Sequence, residues 1–397
     1  MEIVLPPALD MTVSARLALL SRAIEASGGA ASARRRLAAL LFECDRFDEA
    51  AEALGPFAPG MAAEDALLLA QTLLSRRRAG DAECAEQAAD HAAAQAGSPN
   101  LAAKALLAKG RALLLQQRDE EGLALLRRVL ADSPGELGAF RTLSDRLLRT
   151  GNADAVLALI DDLRATGQDH ARLLGAEVVA LARTGAIEQA RALSGIDRFA
   201  TTLQLETPAG WENAAVFNAA LVAEAAADPD LRQGRHGTAS RGAQRVDHPQ
   251  RAGAPAFTAL HWAIAAAIAD HVAALPKDDH PWLAARPDRL ALRSWCVMTG
   301  ADGYEQWHNH PAGWMSGGYY PAVPDQPQGA DPRSGSLAFG LPALLAGDAA
   351  AAAFGERLVP PSAGMLALFP SHAYHRTYPH GQPGQRICMA FDLESRD

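Results

Sequence analysis

The stretch "WHNHPAGWMSGGYYPAVP" covers residues 307–324 and decides how the chain is read. His308 and His310 stand two apart, just after the strand-like run "LALRSWCVM". In extended backbone, residues i and i+2 point to the same side, so both imidazoles can face one metal ion. A third histidine, His375, lies far downstream at the exit of "GMLALFPSHAYH", another strand-like run. Two ligands from one strand and one from a distant strand make an open, three-ligand site inside a barrel. Arg386 opens the last strand-like run, "RICMAF". An arginine inside a barrel is costly unless it meets an anion, and its fork fits a carboxylate. A surface charge at a strand end is the plainer role for it.

Working outward, residues from about 290 onward alternate short apolar runs with Gly, Pro and Asp, the grammar of a barrel or jelly roll. Eighteen of the 24 prolines and all six tryptophans lie beyond residue 200. The segment 256–275 predicts a packed helix. The segment 231–255, rich in Gly and Arg without apolar periodicity, predicts a long loop.

The first half differs. From residue 10 to about 195, Ala, Leu, Arg and Glu recur at helical spacing, broken by short Gly, Asp or Asn turns. Small residues after these turns, Ala50, Ala85, Gly122, Ala155 and Ala190, are separated by 35, 37, 33 and 35 residues. Such a period fits a solenoid of helix pairs; a non-repeating bundle is the alternative. The expected fold is therefore α+β: a helical-repeat domain over 1–196, then a jelly-roll domain over 197–397 with its core at about 288–395.

Bulk properties exclude some classes. The net charge of −9 argues against a general nucleic-acid or anionic-membrane binder. No apolar run reaches membrane-spanning length, and the N-terminus lacks the pattern of a signal peptide. Four scattered cysteines, Cys44, Cys84, Cys296 and Cys388, read as reduced thiols, so a cytoplasmic location is expected.

The ordered set His308-Asn309-His310-Pro311, Ser316-Gly317-Gly318-Tyr319-Tyr320, Gly335 to Phe339, Pro361 to Leu366, Phe369-Pro370-Ser371, His375, Pro379 and Arg386 resembles the 2-oxoglutarate-dependent, non-haem iron dioxygenases. It is most similar to their bacterial and phage branch. The helical half resembles the tetratricopeptide family in period, without its consensus Trp and Tyr. The first resemblance implies a double-stranded β-helix and an iron(II) site of His308, His310 and His375. It also implies 2-oxoglutarate and O2 as co-substrates, with Arg386 on the far carboxylate.

One departure stands out. Better-known members place Asp or Glu where this chain has His310, so either three imidazoles hold the iron or water fills that place. Asp302 and Glu305 are nearby carboxylates without the required spacing. Strand alternation puts Ser316 and Tyr320 on one face, where both could bond the carboxylate beside Arg386; core packing is the alternative for Tyr320 and its neighbour Tyr319. Trp307 and Trp314 flank the site as candidates for the substrate entrance, with His236 and His248 from the predicted loop. His91, His170, His261 and His271 are expected at helix surfaces or core edges, and His280, His372 and His380 in solvent.

The implied activity is hydroxylation of a C–H bond coupled to decarboxylation of 2-oxoglutarate. A helical array beside such a domain suggests a peptide or protein substrate, and a homodimer is an open arrangement. A free amino acid or small metabolite, a three-histidine dioxygenase without 2-oxoglutarate, and a non-catalytic scaffold are the rival readings.

Overall fold

The computed structural model describes all residues except Leu9, Arg235 and Asp397. The chain forms two compact units, Met11–Leu147 and Met1–Asp10 with Leu148–Asp397.

The first unit is built of helices joined by short turns. Helices Ala31–Glu43, Ala63–Arg76 and Pro99–Leu115 each precede a partner, Phe47–Leu54, Asp81–Ala94 and Asp119–Asp132. Alanine makes the contacts: Ala66, Ala70, Ala85, Ala88, Ala89, Ala92, Ala105 and Ala112 are all fully buried. Small side chains let backbones approach closely, with little side-chain entropy lost on packing. At the tightest crossing a Cβ on Gly122 would lie 3.1 Å from the carbonyl oxygen of Gly110.

Second helices begin at Phe47, Asp81, Asp119, Ala153 and Ile187. The sequence periodicity marked Ala50, Ala85, Gly122 and Ala190, and these four are buried. Its fourth mark, Ala155, is exposed; Val156 takes the buried place one residue on. The apolar residue, not the small one, sets the register there.

The second unit contains helices Ala153–Ala165, Ala171–Arg183 and Ile187–Ser194, which composition alone groups with the helical half. Arg183 donates to the carbonyl of Leu345, and Arg191 to those of Ala353 and Phe354, tying this helix pair to the segment before the late strands. Two imidazoles secure the end of helix Ile187–Ser194: His280 Nε2 contacts Ala192 O and His372 Nε2 contacts Leu193 O, both at 3.1 Å. Terminal helix carbonyls need such partners. His380 likewise meets Thr299 O. His280, His372 and His380 are thus buried rather than solvated, because each ring satisfies a buried backbone group.

Eleven strands follow among the described residues: β1 (Glu2–Val4), β2 (Thr201–Gln204), β3 (Arg232–Gln233), β4 (Ser240–Val246), β5 (Arg289–Glu305), β6 (Gly313–Ala322), β7 (Leu337–Phe339), β8 (Arg357–Val359), β9 (Met365–Pro370), β10 (His375–Thr377) and β11 (Arg386–Ser395). The major sheet has the order β2-β9-β6-β11-β5-β4-β3, with β1 parallel to β5; the minor sheet is β10-β7-β8. Together they give the antiparallel jelly-roll arrangement.

The predicted loop 231–255 is a correction: it holds β3 and β4, and β4 pairs with β5. Its arginines obscured the alternation. Arg232 and Arg245 both pair with Asp247, which keeps them in the sheet.

Alternation in the long strands divides two environments. Leu292, Cys296, Met298, Met315, Tyr319, Leu366, Leu368, Met389 and Phe391 face outward into a core shared with helices Ala214–Ala227 and Pro255–Ala274. The expectation that no apolar run reaches membrane-spanning length is corrected: helix Pro255–Ala274 is long and apolar enough by length and composition. Its Leu260, Ile264 and Ile268, four residues apart, are fully buried in that core. Its His261 is buried too, against Gln250 and Ser294, rather than at a core edge. The opposite face of the long strands lines a cavity.

Candidate metal centre and cavity

The histidines meet because two chain segments pair. His308 and His375 exchange both backbone hydrogen bonds, each 2.9 Å, and His310 N donates to Ser371 O at 2.9 Å. This pins the segment after β5 against the start of β10. Helix Ala171–Arg183 backs the same turn: a Cβ on Gly175 would collide with Asn309 Nδ2, and would lie 3.1 Å from His372 O.

All three rings expose the same edge. His308 Nδ1 faces Gln306 O at 2.7 Å, His375 Nδ1 faces Ala373 O at 3.0 Å, and His310 Nδ1 faces Asp392 Oδ2 at 3.0 Å. Each acceptor fixes the proton on Nδ1 and leaves an Nε2 lone pair. His310 Nε2 and His375 Nε2 stand 3.2 Å apart, and one ligand atom from each ring lies within 4.8 Å of the others. Lone pairs that close repel unless a cation lies between them. Nitrogens bound at about 2.1 Å to one ion and at right angles to each other lie about 3 Å apart. The residues present therefore fit a metal ion. Burial pushes His308 down to about 3 and His375 well below the usual imidazole range. Both are neutral near pH 7, the form that ligates.

The cavity beside them is lined by Trp295, Thr299, Glu305, Tyr320, Thr377 and Arg386, among others. Arg386 is 3% exposed. Its Nη1 donates to Gly335 O and Tyr378 O, and its Nη2 to Thr377 Oγ1 at 2.9 Å. Among the described residues no carboxylate forms an ion pair with it. A buried guanidinium whose donors meet only neutral acceptors is a receptor for an anionic group. This fits the far carboxylate of a dicarboxylate such as 2-oxoglutarate.

Gly318 lets Cys388 pack against the cavity wall: a Cβ there would stand 2.7 Å from Cys388 Sγ. Glu305 also faces the cavity. Its Oε1 is buried without a hydrogen-bond partner, and burial raises its pKa.

Of the candidates read from sequence, His308, His310, His375, Arg386 and Tyr320 come together here. Ser316 does not join Arg386. It shares the inward face but pairs with Asp392 across β6 and β11, six residues along from Arg386, or roughly 20 Å of strand. There its Oγ donates to Asp392 Oδ1 at 2.6 Å.

Trp314 is not at an entrance; it is buried in the core against Trp282. Trp307 is half-buried beside Gly340, with Arg376 over its ring, and does not line the cavity. His236 and His248 are exposed and do not line it either.

Sequence reasoning missed Trp295, Thr299, Thr377 and Asp392. Period-two counting from Arg386 through Cys388 and Ala390 reaches Asp392, so that signal was present. Trp295 also stacks on His310, with centroids 5.6 Å apart and planes 19° apart.

Residues 293–392 match the model of the family described as "Putative 2OG-Fe(II) oxygenase". No curated protein matches the sequence. Among solved structures, a prolyl-4-hydroxylase of Pseudomonas putida is similar at 18% identity over 52% of this chain and 97% of that one, with a TM-score of 0.34. The alpha ketoglutarate dependent epimerase SnoN from nogalamycin biosynthesis is 17% identical, covering 53% and 83%, with a TM-score of 0.35. HygX from Streptomyces hygroscopicus, solved with nickel and 2-oxoglutarate, is 13% identical, covering 51% and 85%, with a TM-score of 0.34. By the family match, the chain carries an oxygenase domain of the iron(II) and 2-oxoglutarate kind and is an enzyme.

Proposed function

We propose that this oxygenase hydroxylates a side chain of a peptide or protein, with its helix pairs holding the polypeptide. The observation that carries the enzymatic part is a cluster of three imidazoles beside a cavity that also holds a buried guanidinium, whose own donors meet only neutral acceptors. In this reading His308, His310 and His375 hold iron(II). Arg386 grips the far carboxylate of 2-oxoglutarate, with Thr377 Oγ1 steadying the fork. Tyr320 closes the wall beside it. When bound, the metal and co-substrates supply C–H hydroxylation: one atom of O2 enters the product, the other enters succinate, and carbon dioxide leaves. The residues of the chain bind, orient and exclude water; no side-chain base is required.

The peptide part is supported by a groove in the first unit. Leu67, Leu68, Gln71, Asn100, Leu101 and Lys104 line it between helices Ala63–Arg76 and Pro99–Leu115. Apolar floor and amide rims suit an extended chain, whose backbone the amides of Gln71 and Asn100 can bond.

The test is incubation with iron(II), 2-oxoglutarate, O2 and a peptide library, read by mass spectrometry for gain of one oxygen atom and by succinate release. Modified peptides with equimolar succinate are expected. Modification of free amino acids alone would overturn the peptide reading. Oxygen uptake without succinate would overturn the co-substrate.

A further inference from the structure

The three imidazoles are not equivalent. His308 and His375 each direct Nδ1 to a neutral backbone carbonyl. His310 alone directs it to a carboxylate, with Oδ1 at 2.8 Å and Oδ2 at 3.0 Å. Asp392 is 8% exposed, and among the described residues no arginine or lysine pairs with it. A relay of hydroxyls reaches it from behind: Ser316 Oγ donates to Oδ1 at 2.6 Å, and Ser371 Oγ lies 2.7 Å from Ser316 Oγ. Space for this relay is reserved, since a Cβ on Gly313 would stand 2.6 Å from Ser371 Oγ. Trp295, stacked on His310, fixes the ring plane.

Burying a carboxylate this deep is costly unless a cation compensates it. Among the described residues, the group able to carry positive charge that this carboxylate bonds directly is an imidazole whose other nitrogen faces the metal position. The common facial set for iron(II) holds one carboxylate in direct contact with the ion. Here that contact position is an imidazole, and the carboxylate stands behind it.

We infer that Asp392 is a positioning residue of the metal centre, delivering through His310 the negative charge that a direct carboxylate ligand would bring. This rests on the metal-site reading above. A carboxylate on the outer nitrogen fixes the tautomer and ring orientation and makes the inner nitrogen a stronger donor. It therefore tightens the ion and favours its more oxidised form.

The test uses the full chain with cobalt(II) as an oxygen-stable probe, by calorimetry and visible absorption, and anaerobic potentiometry of the iron-loaded protein. Asp392→Asn keeps the size and an acceptor oxygen but removes the charge. Cobalt(II) binding roughly 10–100-fold weaker is expected, with an iron potential more positive than wild type. Ser316→Ala removes a donor that competes for the carboxylate, so the potential is expected to move the opposite way. A merely structural role would lower the melting temperature of both variants without opposite shifts in potential.

Wild-type affinity and potential in Asp392→Asn would overturn the inference alone. Absence of cobalt(II) binding by the wild type would overturn the metal site with it. Should Asp392→Asn not fold, Ser316→Ala decides: a negative shift supports the inference, and no shift overturns it.

Discussion

Trp282 and Trp314 stack with centroids 4.8 Å apart and planes 7° apart, and each indole N–H donates to the other's backbone carbonyl, at 2.7 and 2.8 Å. The pair locks the turn Pro281–Ala284 onto the first residues of β6, four residues after His310. Trp314→Phe keeps the apolar body but leaves Trp282 O without its donor. A loss of about 1–3 kcal/mol is expected in urea unfolding. A double-mutant cycle with Trp282→Phe is expected to return coupling of about 0.5–1.5 kcal/mol.

Arg386 carries the prediction on co-substrate affinity. Arg386→Gln removes the charge while the cavity keeps its shape. Hydrogen bonds to charged groups contribute about 1.5–3 kcal/mol each. The KM for 2-oxoglutarate is therefore expected to rise by about tenfold to a hundredfold, while cobalt(II) affinity stays at the wild-type value. Steady-state succinate assays and calorimetry separate the two.

Glu305 predicts a cost of the cavity to the fold. Its pKa is raised by burial, so its favourable contribution exists at pH values below the ordinary carboxyl pKa and fades as pH rises through the folded value. Glu305→Gln is expected to raise the melting temperature of the metal-free protein at pH 7. The gain should vanish near pH 4. A scan of melting temperature against pH for both proteins checks it.

Two buried histidines contribute to the acid limb of stability. Burial depresses His261 and His372 to about 4 from an ordinary 6.5. The unfolded chain then binds protons more readily between those values. The contribution of each ring is complete above pH 6.5 and is lost as pH falls towards 4, by roughly 3 kcal/mol. His261→Asn is expected to flatten that limb in urea unfolding followed from pH 7 to pH 4. An unchanged slope would show that His261 is not held neutral.

Gly175 links a helix to the metal turn. Gly175→Ala puts a methyl group against Asn309 Nδ2 and His372 O. The expected outcome is cobalt(II) binding weakened by about tenfold or more, through displacement of His308 and His310, with helical circular dichroism preserved. Unaltered cobalt(II) binding would show that the turn tolerates the shift.

The linear order of residues determined the outline. Period-two runs after residue 290 specify strands because each must present one face to a core and one to a cavity. The helical spacing of Ala and Leu before residue 195 specifies helix pairs for the same reason at another period. The spacing of His308 and His310, with His375 and Arg386 at later strand starts, was enough to single out the residues that line one cavity. Tertiary structure decided what no local pattern encodes. Whether Ser316 serves Arg386 or Asp392 depends on position along a strand, not on face, and only the register of β6 with β11 fixes it. Trp314 beside the histidines became core because Trp282, distant in sequence, stacks on it. Asp392 gained its place behind His310 because pairing in space, rather than spacing in the chain, brings a carboxylate to an imidazole 82 residues away.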